Sequence, residues 1–131
     1  MIILGLTGSI GMGKTTAANN FKRFTKSSVS NSTADSVYSV PSSKNSILIG
    51  CILCNKTGSG ITADVLIDTS ISGNEDAYLV KSVQIPGGSS LEIVEGKVVL
   101  THDGSNGDVL KVLASAGSAL DVTVSVLEDV T

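Results

Sequence analysis

An all-β fold, an antiparallel sandwich or jelly roll of about eight short strands, is predicted by three features of this sequence. Short runs rich in Val, Ile and Leu recur along most of its 131 residues. The segments between them, PSSKN, KTGSG, SISGNED, IPGGS, EG, THDGSNG and SAGS, are all turn chemistry. No helical period persists for ten residues anywhere after Phe24. The length is that of one domain. A hydrophobic share of 41% supplies a core and argues against disorder.

The chain opens differently. Ile2 to Leu6 reads as a short strand, followed by a glycine loop and a helix from about Lys14 to Phe24 whose closing Lys22 and Arg23 suit the negative end of a helix dipole. Residues 1–24 thus form a strand-loop-helix or disordered appendage. Residues 25–34, a Ser/Thr/Asn-rich stretch, have linker composition, and residues 35–131 form the sandwich domain.

Its strands are predicted at Asp35 to Val40, Ser46 to Asn55, Ile61 to Asp68, Ala77 to Gln84, Ser90 to Val94, Lys97 to Leu100, Asp108 to Ala114 and Ala119 to Glu128. In ITADVLID, Ile61, Ala63, Val65 and Ile67 share one face, while Thr62, Asp64 and Asp68 share the other. In ALDVTVSV, Leu120, Val122, Val124 and Val126 face in. ILIGCILC is apolar on both faces, so Ile47 to Cys54 is expected to be a central strand covered on both sides or to lie in a subunit contact. Glu95-Gly96, between SLEIV and KVVL, suggests a tight hairpin.

Charge is divided unevenly. Residues 1–24 hold Lys14, Lys22 and Arg23 and no acid, a net +3, whereas the remainder has six lysines, no arginine and all 12 acids, a net −6. Phosphate backbones are bound by clustered Lys and Arg, and bases stack on aromatic rings, so the acidic, 3% aromatic body is not expected to contact nucleic acid. No stretch approaches the roughly 18–20 apolar residues of a membrane-spanning helix. The opening segment lacks the basic start of a secretory signal.

The most specific motif runs from Gly8 to Thr15. GSIGMGKT fits G-x-x-x-x-G-K-[ST] between a predicted strand and helix. In that context Gly8 and Gly13 let main-chain N–H groups curl around phosphate oxygens, Lys14 neutralises the terminal phosphates and Thr15 holds Mg²⁺. MIILGLTGSIGMGKTTAANNFKRF closely resembles the N-terminus of dephospho-coenzyme A kinase, over about residues 1–24. That resemblance implies ATP-phosphate binding by Gly8, Gly13, Lys14 and Thr15. The family's Asp-Ala-Asp motif has only a faint echo in Thr33-Ala34-Asp35, and no arginine follows Arg23 to stabilise a transferring phosphoryl group, so phosphoryl transfer is not expected. Asp68, at the end of VLID, has the position of a Walker B carboxylate, but it also continues the outward series of its strand, which is the preferred reading.

From about residue 19 onward the chain resembles small virion structural proteins of tailed bacteriophages. NNFKRFTKSSV, SVYSVPSSKNSILIGCILCN, ITADVLI, YLVKSVQIPGGSSLEIVEGKVVL, GDVLKV and ALDVTVSVLED carry the likeness. It implies a non-enzymatic virion component, foremost a capsid decoration protein bound to the major capsid or other virion proteins as a homo-oligomer, with three-fold or six-fold symmetry the natural choices. It further implies assembly in the host cytoplasm and no cofactor. A tail, neck or fibre component is the second reading, and an ATP-binding P-loop protein is the rival from another class. The two resemblances overlap at Ala18 to Phe24, as expected if a kinase-like segment has been joined to a phage protein.

The remaining candidates have structural readings. Cys51 and Cys54 form C-x-x-C, but a spacing of three along a strand puts the thiols on opposite faces, which suits buried free cysteines rather than a redox or zinc site. His102, the single histidine, sits in a Thr-His-Asp-Gly loop and is expected to be solvent exposed. Asp103, Asp108, Glu75 and Asp76 lack the spacing of a calcium loop and read as solvated turn acids. Glu92 and Glu95 read as strand-end charges.

Overall fold

The computed structural model describes residues 20–128. They form two antiparallel sheets packed face to face, the predicted sandwich. The strands are β1 (Phe21–Lys26), β2 (Asp35–Ser39), β3 (Asn45–Asn55), β4 (Ile61–Thr69), β5 (Ala77–Ile85), β6 (Ser90–Glu92), β7 (Val98–Thr101), β8 (Asp108–Ala114) and β9 (Leu120–Glu128). Sheet A has the order β1-β9-β3, with β6 and β7 both on the far edge of β3; sheet B has the order β2-β8-β4-β5.

Alternating sequence produces this layering directly. Leu120, Val122, Val124 and Val126 of β9 are buried, as are Leu110, Val112 and Ala114 of β8 and Ile61, Ala63 and Val65 of β4. With Leu48, Leu53 and Leu100 they fill the space between the sheets. Each Val, Leu or Ile side chain among them contributes roughly 1.5–3 kcal/mol through burial.

Two expectations about the strands and turns need correction. The helix expected to run to Phe24 does not do so: Phe21–Lys26 is a strand paired with β9 from Phe21↔Leu127 to Lys26↔Val122. An open edge of β9 offers these residues a full hydrogen-bond ladder, and Phe24 turns inward opposite Val124 to pack on the core, so tertiary pairing overrides local helix propensity. The expected strand and glycine loop before it, and the helix residues up to 19, lie outside the described residues.

Glu95-Gly96 makes no hairpin. β6 and β7 do not pair with each other but lie one after the other along β3, β6 against Ile52–Cys54 and β7 against Asn45–Leu48. The Glu92 carboxylate accepts the N–H groups of Cys51 and Val94, and Ile93 N–H donates to Cys51 O, so the chain follows β3 instead of turning back.

Asp64 keeps the outward side of its strand, as expected. It points away from the core yet is only 8% exposed, because β5 bulges over it. Its carboxylate accepts Ser82 N–H at 2.7 Å and pairs with Lys81 at 3.0 Å.

The Ser-rich stretch expected as a linker is closely tied to the sandwich. Thr25 and Lys26 complete β1, and Val29 is fully buried, with its N–H donating to Leu120 O. Ala114 N–H donates to Ser30 O, and the Asp35 carboxylate accepts Ser30 N–H. At the same end Asn55, also fully buried, donates to Ser59 O and Ile85 O and accepts from the Thr57 N–H and hydroxyl. It locks the 56–60 turn against the 86–89 turn, where a Cβ on Gly87 would stand 2.5 Å from the Gly58 main chain.

Tyr38 ties the two sheets together at the other end. Its ring meets that of Phe24 at a centroid distance of 4.8 Å. Its hydroxyl lies 2.6 Å from Ser46 Oγ and donates to Glu128 at 2.8 Å. Burial holds this hydroxyl well above the usual phenol range. Tyr38→Phe keeps the ring but leaves the fully buried Ser46 hydroxyl without this partner, so a loss of about 1–2 kcal/mol is expected in urea unfolding. An unchanged midpoint would show that the tie contributes nothing.

Candidate interaction surface

The two sheets present unlike outward faces. On sheet B the outward side chains form ion pairs, Lys81 with Asp64 and Lys111 with Asp68, and Lys81 also lies over the Tyr78 ring. Asp68, considered above as a metal ligand, is engaged by Lys111.

On sheet A, four apolar residues stand in one row across four strands. Phe21 of β1 is opposite Leu127 of β9, Leu127 opposite Ile47 of β3, and Ile47 opposite Val99 of β7. Phe21 is 41% exposed and Val99 65% exposed. Ile49 and Ile52 extend this apolar surface along β3.

A bulge creates the extension. Ile49 and Gly50 together oppose Ser125, between the pairs Leu48↔Val126 and Cys51↔Val124. Strict alternation from Leu48 would turn Ile52 and Cys54 inward. With the bulge, Cys51, Leu53 and Asn55 face the core and Ile52 faces out. Ile47 to Cys54 is therefore central within its sheet but covered on one side only, a correction to the expected two-sided burial.

Cys51 and Cys54 are free and face opposite ways, Cys51 buried and Cys54 half-buried. Burial pushes the Cys51 thiol up to about 12, with the Glu92 charge adding to the effect. A thiol so shifted is a poor nucleophile and metal ligand at neutral pH.

The acids mostly serve the main chain. Among the described residues, Asp35, Asp64, Asp76, Glu92, Asp103, Asp108 and Asp121 each accept at least one backbone N–H. Asp108 differs from the solvated turn acid expected: it is only 6% exposed and accepts Thr101 N–H where β8 begins. Glu92 likewise does more than mark a strand end, since it fills the gap that β6 and β7 leave along β3. His102 is half-buried rather than fully exposed. Its Nδ1 accepts the N–H groups of Gly104 and Ser43, and its ring lies against Gly107, where an added Cβ would collide with it.

Surface clefts lie at two places among the described residues. One, of about 390 Å³, is lined by Gly60, Ile61, Thr62, Gln84, Ile85, Pro86 and Ser115. The other, of about 350 Å³, is lined by Ile67, Thr69, Gly73, Asn74, Glu75, Ala77 and Asp108. No group of three or more His, Cys, Asp or Glu placed to hold a metal occurs among the described residues. Gly8, Gly13, Lys14 and Thr15 lie outside those residues. The chain matches no protein-family model, no curated protein and no solved structure.

The apolar row escaped the sequence because its members are 26 to 106 positions apart; only the register brings them together. The doubly apolar pattern of ILIGCILC was the one available signal.

Asp121 yields a pH dependence. The Lys56 ammonium and then the Ser28 N–H hold its carboxylate below the usual range, and Ser27 Oγ donates to the same oxygen. A depressed folded-state pKa stabilises the fold above the unfolded value of about 4, and that contribution is lost as pH falls through the lower folded value. Melting temperature measured from pH 7 to pH 2 is expected to fall below about pH 4, and Asp121→Asn is expected to flatten part of that fall. An identical pH profile in the variant would remove Asp121 from the account.

Proposed function

We propose that this chain is a non-enzymatic structural component of a phage virion, foremost a capsid decoration protein. In this reading it binds the major capsid or other virion proteins in many copies and assembles with them in the host cytoplasm. The observation that carries the reading is the contrast between faces: sheet B outward sets half-buried Leu66, Val109 and Leu113 and exposed Tyr78 among ion pairs, while sheet A outward carries a continuous apolar row with no charge in it. Contiguous exposed apolar surface is a mark of protein contact sites. Specific contacts of this kind bury about 1,200–2,000 Å² in total. The likeness to phage virion proteins over about residues 19–131 supplies the setting.

Mass spectrometry of purified particles tests the proposal. The chain is expected as a stoichiometric constituent in many copies per particle, and purified protein is expected to rebind particles from which it has been stripped. Absence from particles overturns the reading. The rival function has its own assay: tight Mg²⁺-dependent ATP binding by the full chain, lost in Lys14→Ala, would replace the structural role with nucleotide binding. No such binding is expected.

A further inference from the structure

The outward face of sheet A carries a second row beside the apolar one, and the two rows together have a symmetry of their own. One register step along the strands from Phe21↔Leu127, Arg23 of β1 stands opposite Ser125 of β9, and Ser125 opposite Gly50 of β3. On the far side of Gly50 lies the Glu92 carboxylate. It reaches back along β3 to accept Cys51 N–H at 2.7 Å, and its other oxygen is 3.3 Å from where a Cβ on Gly50 would stand. Arg23 and Glu92 are both exposed.

Across the face the first row therefore reads Phe21, Leu127, Ile47, Val99, and the second reads Arg23, Ser125, Gly50 and the Glu92 carboxylate, the Glu92 main chain standing one step further along, opposite Ile52. Exchanging left for right in the first row lays apolar on apolar. In the second it lays cation on anion at both ends, with the small residues Ser125 and Gly50 meeting in the middle. This is the pattern that an isologous two-fold contact requires, in which residue i meets j and j meets i. Adjacent strands lie about 4.8 Å apart, so each four-strand row is about 14 Å wide.

We propose that sheet A pairs face to face with sheet A of a second copy of this chain, about a two-fold axis parallel to the strands between β9 and β3. In this pair Phe21 meets Val99 of the second copy, Leu127 meets Ile47, and Arg23 meets Glu92, each contact occurring twice. The alternative in-plane axis, perpendicular to the strands through the second row, sets Arg23 against Arg23 and Glu92 against Glu92, and like charges disfavour it. A different partner protein would need no such left-right antisymmetry within one face. Sheet B has no equivalent, since its outward charges already pair within the chain. The inference claims for self-pairing the face that the virion reading offers to other subunits, and it is tested apart from that reading because pairing is a property of the isolated protein.

Sedimentation equilibrium of the full chain tests it. A dimer is expected, with Val99→Glu raising its dissociation constant tenfold or more, because the variant buries an unpaired charge against Phe21 of the second copy. Val99 is 65% exposed and outside the core, so a retained cooperative melt, shifted only by the lost association, is expected to confirm that the variant folds. Tyr78→Glu, on the outward face of sheet B, is expected to leave the dimer unchanged. The axis is read by crosslinking in a Cys54→Ser background: an equimolar mixture of Phe21→Cys and Val99→Cys chains is expected to form a mixed disulfide faster than either forms a disulfide with itself. A full chain that stays monomeric at high concentration overturns the pairing and leaves the face to another virion subunit or to the chain's own N-terminal segment. A dimer indifferent to Val99→Glu, or a Phe21→Cys chain that links preferentially to itself, overturns it as well.

Discussion

The bulge in β3 is the constraint on which the rest of sheet A depends. β3 is the hub of that sheet, bordered by β9 on one side and by β6 and β7 on the other. One extra residue at Ile49–Gly50 lets Ser46 and Leu48 face the core before it, and Cys51, Leu53 and Asn55 after it. Without it, the second half of the strand would expose Leu53 and Asn55. Asn55 would then be lost as the fastener of the turns at residues 56–60 and 86–89. The same residue count sends Ile52 outward, so core filling on one side and the apolar exterior on the other have a single cause.

A bulge leaves main-chain groups outside the ladder, and an unpaired buried N–H costs about 1–3 kcal/mol. Carboxylates meet that need here. Glu92 serves Cys51 at the β3 bulge, Asp64 serves Ser82 at the β5 bulge, and Asp121 serves Ser28 where the chain leaves β1. Ser28 and Ser82 both have positive φ, a conformation that L-residues adopt with strain. The acidic balance of the chain thus has a structural origin, and acids that look like candidate acid/base or metal groups are already engaged in shaping the backbone.

This division explains what could be read without coordinates. Eight of the strands were legible, most within a residue or two at their ends, because alternation of Val, Ile and Leu with polar residues and Gly/Ser/Asn turns are local signals. The sandwich followed from their spacing. β1 was illegible because FKRFTK follows a good helical segment, and only the vacant edge of β9, about 100 residues later, makes it a strand. The Glu95-Gly96 turn misled because Gly marks a change of direction without saying which neighbour the next strand will choose. Neither bulge was visible, since a bulge is a relation between two strands. The apolar row depends on register in the same way, which is why the sequence showed apolar residues on both faces of β3 but not what they join.

The route of the chain also limits how copies of it can meet. Sandwich edges are normally where strands of different molecules add to one another. Here each edge is obstructed. β1 presents Lys22, Arg23 and Lys26; β2 is five residues long with a register break between Ser36 and Tyr38. β5 is bent by its bulge at Ser82 beside Lys81, and the β6/β7 edge is interrupted between Glu92 and Val98. Edge addition needs an unbroken row of free N–H and C=O groups, and these edges lack one. Association is then left to faces, and the face of sheet B has already satisfied its charges internally. The outward face of sheet A is the surface on which contact gains apolar burial without breaking an existing ion pair. Because the core lies wholly between the sheets, residues on that face can be exchanged without disturbing the packing that holds the fold.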